Sequence, residues 1–244
     1  MPGPWLIAWM VLALVVFAVL RSGQTAPYGR HVREGWGPGV PNHIGWFVME
    51  LPALVLFWVF VLAEAPDWQT GRVAACVLWT LHYGHRALIF PFRLRTRGKT
   101  MPLSVVLMAM AFNAINTFFV GRFIGSADLD AHLLWMMPGA MLFVAGFALN
   151  FWADHRLIHL RAPGETTYKI PRGGAFRLIS CPNHAGEILE WLGFFLMMPG
   201  WPTFAFLLWT MANLVPRALD HHRWYRDRFP DYPADRRAIF PFVL

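Results

Sequence analysis

Charge is scarce in this 244-residue chain. Only 14% of its residues are Asp, Glu, Lys or Arg, against 57% hydrophobic, whereas a soluble domain carries about 25% charged residues. That deficit excludes an ordinary water-solvated globule and points to lipid around most of the surface. Acidic residues are the rarer sign, 14 against 21 basic, for a formal net charge of +7. In a soluble chain such an excess would raise nucleic acid as a partner, so its placement relative to a membrane has to be tried first. Cysteine is nearly missing. Cys76 and Cys181 fall in or beside different apolar stretches, assigned below to opposite faces, so no disulfide is expected. The chain has no CxxC, HExxH or Cys/His cluster, which leaves no metal signature. It also lacks a G-x-G-x-x-G after a strand, which excludes a Rossmann site, so any nucleotide must be held by helix ends and loops.

Long apolar runs are abundant. A bilayer core of about 30 Å takes roughly 20 helical residues, and seven spans are expected: 4–20, 44–63, 70–92, 101–120, 132–152, 186–198 and 201–215. The last two are short and separated by "PGWP" (199–202), which reads as a tight helical hairpin or, alternatively, one long kinked helix. Residues 1–20 lack the basic n-region and A-x-A site of a signal peptide and are expected to be a first transmembrane helix. Thirteen Trp and 21 Phe suit interfacial belts and lipid-facing packing.

Basic residues sort by side. Eighteen of the 21 lie in segments 21–43, 93–100 (including Arg97), 153–185 and the tail after 215. The alternate connections, 64–69 and 121–131, hold only Arg122, with Glu64, Asp67, Asp128 and Asp130. The positive-inside rule then sets the N-terminus outside and the C-terminus in the cytoplasm, and it accounts for the charge without nucleic acid. The fold class expected is an all-α integral membrane protein, one domain over 1–244.

Ionisable groups inside a membrane are costly and are functional candidates by default. The second span holds Glu50; the third, "LHYGHR", holds His82, Tyr83, His85 and Arg86. Asn113 and Asn116 lie in the fourth, Asn150 and Asp154 end the fifth, and "NHAGEILEW" (183–191) opens the sixth with Asn183, His184, Glu187 and Glu190. At 1.5 Å per residue, Glu50 lies roughly 10 Å and Tyr83 roughly 14 Å in from the cytoplasmic ends of their spans. Asp154, Asn183 and Glu187 sit at the mouth of the resulting pocket. A structural ion pair or snorkelling accounts for Glu190 and Arg86 as well as a functional role does. Asn113 and Asn116 read as interhelical hydrogen-bond glue, and His82 and His85 as braces. Glu50 has no basic partner on its own span and, with Tyr83 at similar depth, could share a proton and donate a hydrogen bond to a carbonyl. The irregular segment "RAPGETTYKIPRGG" (161–174) and the tail "HHRWYRDRFPDYPADRRAIFPF" (221–242) mix Arg with aromatics. That mixture suits phosphate and a stacked base, the alternative being a dispensable cytoplasmic tail.

The stretches "YGRH" (28–31), "WFVMELP" (46–52), "LHYGHR" (81–86), "NFWADHRL" (150–157), "RAPGETTYKIPRGGAF" (161–176), "NHAGEILEW" and "RALDHHRWYRDRFPDYPADRRAIFPF" (217–242) together resemble the steroid 5α-reductases. These are integral-membrane enzymes that reduce the Δ4 double bond of 3-oxo steroids with NADPH. Sterol C14 and C7 reductases and isoprenylcysteine methyltransferases share a weaker form of the C-terminal pattern.

The resemblance implies residue roles. Asn150, Asp154, Arg161, Lys169, Asn183, His221, Tyr225 and Arg236 are implied as NADPH contacts, with Tyr168 and Arg217 beside them and Glu187 next to the cofactor. Glu50 and Tyr83 are implied as the catalytic pair that holds the 3-oxo group. Trp46, Met49, Phe112 and Asn116 are expected to complete the substrate site. Met49 stands where a mammalian-type enzyme has Gln, and Lys169 where the family often has Arg, which loses the bidentate fork. Residues 1–120 are expected to form mainly the steroid pocket and 121–244 mainly the NADPH half. Two other classes remain: a membrane methyltransferase using S-adenosylmethionine, in which Glu50 and Tyr83 have no task, and a non-catalytic sterol-binding protein. A steroid or related enone lipid is the expected substrate, and a monomer the expected state. Nineteen of the 21 basic residues are Arg, which suggests a bacterial gene and an inner membrane, or the endoplasmic reticulum in a eukaryote.

Overall fold

Apolar runs of this length cannot leave backbone N–H and C=O groups unpaired in lipid, so each closes its own hydrogen bonds as a helix. The computed structural model of the chain describes residues 1–95, 98–128, 133–162, 165 and 167–243. Among the described residues there are seven long helices. They are α1 (Pro4–Arg21), α2 (Asn42–Ala63), α3 (Thr70–Gly84), α4 (Leu103–Ser126), α5 (Leu133–His159), α6 (Pro182–Met197) and α7 (Trp201–Arg228). Helix α3 runs on through a π turn (His85–Ile89) into a last turn at Phe90–Arg93. Pro91 supplies the reason: its ring has no N–H to donate and crowds the carbonyl one turn earlier, so the helix widens there. Of the residues weighed above, Arg97, Asp130, Pro163 and Gly164 lie outside the described ones.

Each of the seven expected spans corresponds to one of these helices, but their ends differ. Helix α5 continues to His159, so Asp154 is still helical, and α6 starts at Pro182. Helix α7 passes through Pro216 to Arg228 and remains a helix separate from α6. Hydropathy marks where lipid ends, whereas helices continue wherever a polar face finds partners. Among the described residues, four helices are by length and composition apolar enough to cross a membrane: Pro4–Arg21, Asn42–Ala63, Leu103–Ser126 and Leu134–His159. Their outer faces are exposed and apolar, as at Val59, Leu134, Met137 and Met141.

The all-α expectation needs one correction. Gly39–Pro41 pairs antiparallel with Thr100–Pro102, Val40 opposite Met101. Both segments are Pro-flanked leads into α2 and α4, which pack together, so their extended backbones come side by side. The tail is not a free appendage either. Ser180 and Cys181 amides donate to Arg237 and Ala238 carbonyls at 2.8 and 3.1 Å, and Ile239 is fully buried against Ile179, Ile188 and Ala218.

Two features set the helix positions. The first is an aromatic core in which Trp79 stacks on Phe57 at 4.6 Å and meets Trp191 at 5.4 Å. Trp191 in turn meets Phe206 at 4.4 Å. The second is a close crossing of α5 and α6. A Cβ on Gly146 would lie 2.4 Å from the Glu190 amide, and one on Gly186 would lie 2.5 Å from the Asn150 amide. Gly139 and Gly193 repeat the arrangement seven residues away on each helix. Only hydrogen at these positions lets the backbones approach so closely, and the obstructing atoms are main chain, which cannot swing aside.

Gly186→Ala is therefore expected to separate the two helices and cost about 1–3 kcal/mol. Gly84→Ala, where nothing lies within 4 Å of the added carbon, should leave the melting temperature in detergent unchanged or slightly raised. Equal melting of both variants would contradict the close crossing.

Candidate active site

One cavity of about 830 Å³ opens among α1, α2, α3, α4, α6 and α7, within the ~300–1,000 Å³ typical of small-molecule sites. Helix α1 packs mainly on α7, where Trp9 meets Trp209 at 4.6 Å and the Trp209 indole donates to the Trp9 carbonyl at 3.1 Å. Leu12 and Val19 of α1, with Met108 and Ile115 of α4, line the cavity and are also exposed at the outer surface. The walls are apolar, and the polar groups concentrate at Glu50, His82, Tyr83, Arg86 and Glu187.

Arg86 organises that end. Its guanidinium meets Asp154 Oδ2 of α5 at 3.2 Å, Glu187 Oε2 of α6 at 3.7 Å and Glu50 Oε1 of α2 at 3.9 Å. It lies 5.0 Å from the Trp46 ring and 4.6 Å from the Phe90 ring, faces that favour a cation. Hydrogen bonds extend the cluster. Asn183 donates to Asp154 at 3.1 Å, and Asn150 donates to the Asn183 carbonyl at 2.9 Å and to Glu187 at 3.5 Å. The π turn is where Arg86 leaves α3, so the local widening coincides with the side chain that most needs aiming. Tyr83, 4% exposed, is held between the rings of Trp79 and Trp191 at 4.8 and 5.8 Å.

The structure brings Trp46, Met49, Glu50, Tyr83 and Phe112 to one cavity wall system. Asn116 is not among the lining residues. It is buried at 1% exposure with its amide nitrogen unpartnered, while Asn113, one turn earlier, lines the cavity and donates to the Met49 carbonyl at 2.6 Å. A pairing of Glu190 with Arg86 does not occur. Glu190, fully buried, accepts or shares a proton with His82 Nδ1 at 2.7 Å. Glu187, Trp191, Trp209 and Thr210, from beyond residue 120, also line the cavity.

Above this floor lies a basic and aromatic shell. Arg30 spreads over Tyr225 at 4.6 Å, Trp224 at 4.8 Å and Tyr168 at 5.4 Å. Lys99 and Arg161 approach the Tyr168 ring at 4.9 and 5.4 Å. Buried nitrogens here lack partners: Nη1 of Arg30, Nη1 of Arg161, Nε of Arg236 and Nδ1 of His184. Unpaired buried polar nitrogens cost free energy until a partner arrives, and the three arginine donors fit an anionic, phosphate-bearing group beside flat rings. Lys169 sits at the exposed edge, 2.7 Å from Glu165. The Glu165 carboxyl is held down at about 2, chiefly by the hydrogen bond from Lys169 and then by the Ala162 amide.

Arg217 and His221 act on the loop between α1 and α2. Arg217 donates to the carbonyls of Ala26 and Tyr28, each at 2.9 Å, and lies 3.6 Å from the Tyr28 ring. Thr25 donates to Asp220 at 2.6 Å, and His31 meets His221 at 3.0 Å. These contacts strap residues 24–36 over one end of the cavity. The sequence does not single out Arg30 and Lys99, and it leaves Arg86 open between a structural ion pair, snorkelling and a functional role. Arg86 carried a signal, being a mid-span cation in a chain whose other spans hold four acids, Glu50, Asp154, Glu187 and Glu190.

Residues 99–244 match the family described as 3-oxo-5-alpha-steroid 4-dehydrogenase. A steroid 5-alpha-reductase DET2 of Gossypium hirsutum is 38% identical over 247 residues, covering 98% of this chain and 95% of the relative. The 3-oxo-5-alpha-steroid 4-dehydrogenase 1 of Bos taurus is 38% identical over 251 residues, covering 98% and 96%. Its Homo sapiens counterpart is 36% identical over 245 residues, covering 98% and 94%.

Two outcomes are expected from the geometry. Arg86→Met strands three carboxylates and should destabilise the protein by about 3–5 kcal/mol, with Arg86→Lys recovering part; denaturation in detergent measures it, and an unchanged midpoint would contradict the hub. Burial, then Arg217 and Arg30, lowers His31 from about 6.5 to about 4. Between those values the released loop binds a proton that the docked loop does not, so docking weakens as pH falls through 6.5 toward 4 and is intact above it. Hydrogen-exchange protection of residues 25–33, corrected for intrinsic rate, should drop between pH 7 and pH 5. Equal protection would contradict it.

Proposed function

This chain belongs to the 3-oxo-5-alpha-steroid 4-dehydrogenase family, and on that premise we propose that it reduces the Δ4 double bond of a 3-oxo steroid with NADPH. The observation that carries the reading is the meeting of Glu50 and Tyr83 in one apolar cavity, with Arg86 linking Glu50 to Asp154 and Glu187. The cavity's apolar walls suit fused rings, and its acidic and phenolic end suits one ketone.

In this reading the seven helices span the membrane with the N-terminus outside and the basic loops in the cytoplasm. The steroid reaches the cavity from lipid past the exposed cavity-lining residues of α1 and α4. Its 3-oxo oxygen accepts hydrogen bonds from the Tyr83 hydroxyl and from a proton shared with Glu50. Those bonds draw electron density from the enone and leave C5 electrophilic. NADPH, when bound, supplies the hydride at C5. Charge then collects on the 3-oxo oxygen, where Tyr83 and Glu50 are already aimed, and removing one such donor typically slows a reaction by ~100- to 1,000-fold. Arg86 fixes Glu50 so that its oxygen need not reorient as that charge develops.

For the cofactor, Asn150, Asp154, Asn183 and Glu187 surround the nicotinamide end. Arg30, Arg161 and Arg236, with their unpartnered buried nitrogens, and Lys99 take the phosphates, with Lys169 at the rim. Tyr168, Trp224 and Tyr225 offer ring faces to the base. Arg217 and His221 serve by holding the 24–36 strap, and His184 adds a buried ring nitrogen without a partner.

Purified enzyme with NADPH and a 3-oxo-Δ4 steroid should yield the 5α-reduced ketone. Tyr83→Phe and Glu50→Gln should each lower turnover on the order of 100-fold or more while NADPH affinity holds; full turnover in Tyr83→Phe would remove that residue from the chemistry. Arg236→Ala should weaken NADPH binding with steroid affinity intact. Thermal stabilisation by S-adenosylmethionine instead of NADPH would overturn the reading.

A further inference from the structure

The proposed reaction leaves one atom unsupplied: the proton that C4 gains after hydride reaches C5. On the reading above, we propose that His82 delivers this proton and that buried Glu190 recharges it, the two forming a relay beside Tyr83. His82 lines the cavity together with Tyr83. The two ring centroids are 4.8 Å apart, and C4 is bonded to the carbonyl carbon whose oxygen Tyr83 holds, so a group one ring away from Tyr83 is in range of C4. His82 Nδ1 is engaged by Glu190 Oε1 at 2.7 Å, both side chains being almost wholly shielded. The other Glu190 oxygen is buried without a partner. No other cation pairs with Glu190 among the described residues, Arg86 being taken by Glu50, Asp154 and Glu187.

A buried carboxylate with a free oxygen is costly, so the pair holds a proton between Oε1 and Nδ1. In either position of that proton, Nε2 carries its own hydrogen. The relay balances. Nε2–H passes to C4 of the enolate, whose C3–C4 electron pair forms the new C–H bond as the 3-oxo group reforms. The proton between Glu190 and Nδ1 settles on Nδ1, leaving neutral imidazole and a carboxylate. One proton from water restores the pair. Glu190 is the positioning residue, and His82 the group that touches substrate.

The test separates this step from hydride transfer. A saturated 3-oxo-5α-steroid incubated in D2O with the wild-type protein and NADP+ should exchange hydrogen for deuterium at C4 on one face, because the relay runs in both directions. Glu190→Gln, which keeps shape and hydrogen bond but not the transferable proton, should slow exchange at least tenfold, as should His82→Gln, with steroid Kd within threefold of wild type. Forward turnover should fall by about 100-fold, with a solvent isotope effect larger than in wild type. Exchange at the wild-type rate in both variants, or loss only in proportion to weakened steroid binding, would overturn the relay while leaving the reduction in place. A wild-type protein that reduces no 3-oxo-Δ4 steroid would overturn the functional reading and the relay together.

Discussion

One guanidinium on α3 meets carboxylates from three other helices, and most of the polar architecture follows from that convergence. Glu50 belongs to α2, and Asp154 and Glu187 to the closely crossing pair α5 and α6. Each is shielded enough that standing alone it would cost several kcal/mol. Arg86 therefore ties α3 to α2 and to the α5–α6 pair. It also links the cavity-lining Glu50 and Glu187 to Asp154 outside the lining. Three acids facing one cation leave negative charge in excess, and in the proposed reaction a proton shared at Glu50 would relieve it.

The scaffold makes that convergence possible by removing bulk in one place and adding it in another. Glycines at 139, 146, 186 and 193 let α5 and α6 touch backbone to backbone, which brings Asn150 within 2.9 Å of the Asn183 carbonyl. Trp79, Trp191 and Phe206 fill the centre, and Trp79 and Trp191 hold the Tyr83 ring from both sides. Pro91 widens the end of α3 where Arg86 departs. The loop after α1 closes the other end, held by Arg217, Asp220 and His221.

Much of this was legible in the amino-acid order, for identifiable reasons. Apolar runs bounded by charge marked seven helices, because lipid permits little else. Glu50 and Tyr83 stood out because isolated polar groups at similar depth in neighbouring spans rarely lack a purpose. Helix ends were less visible: α5 and α7 continue past the hydropathy boundary because Asp154 and Arg217 find partners that only tertiary structure supplies. The short β1–β2 pairing, Gly39–Pro41 with Thr100–Pro102, arises from contact between segments some sixty residues apart. Asn113 and Asn116 are nearly one turn apart, and only the packing of α2 on α4 decides which of them faces the cavity. Arg86 read equally well as the partner of Glu190 until the close α5–α6 crossing set Glu190 against His82.

The central claim is that ketone and nicotinamide meet at the Arg86 cluster, with hydride delivered to the carbon across the enone from the oxygen held by Tyr83 and Glu50. NADPH carrying deuterium at its transferable position, incubated in ordinary water with the protein and a 3-oxo-Δ4 steroid, tests it by NMR of the product. Deuterium at C5 on the α face, with hydrogen at C4, is the predicted result. Label at C4, label lost to solvent, or a steroid recovered unreduced would contradict it.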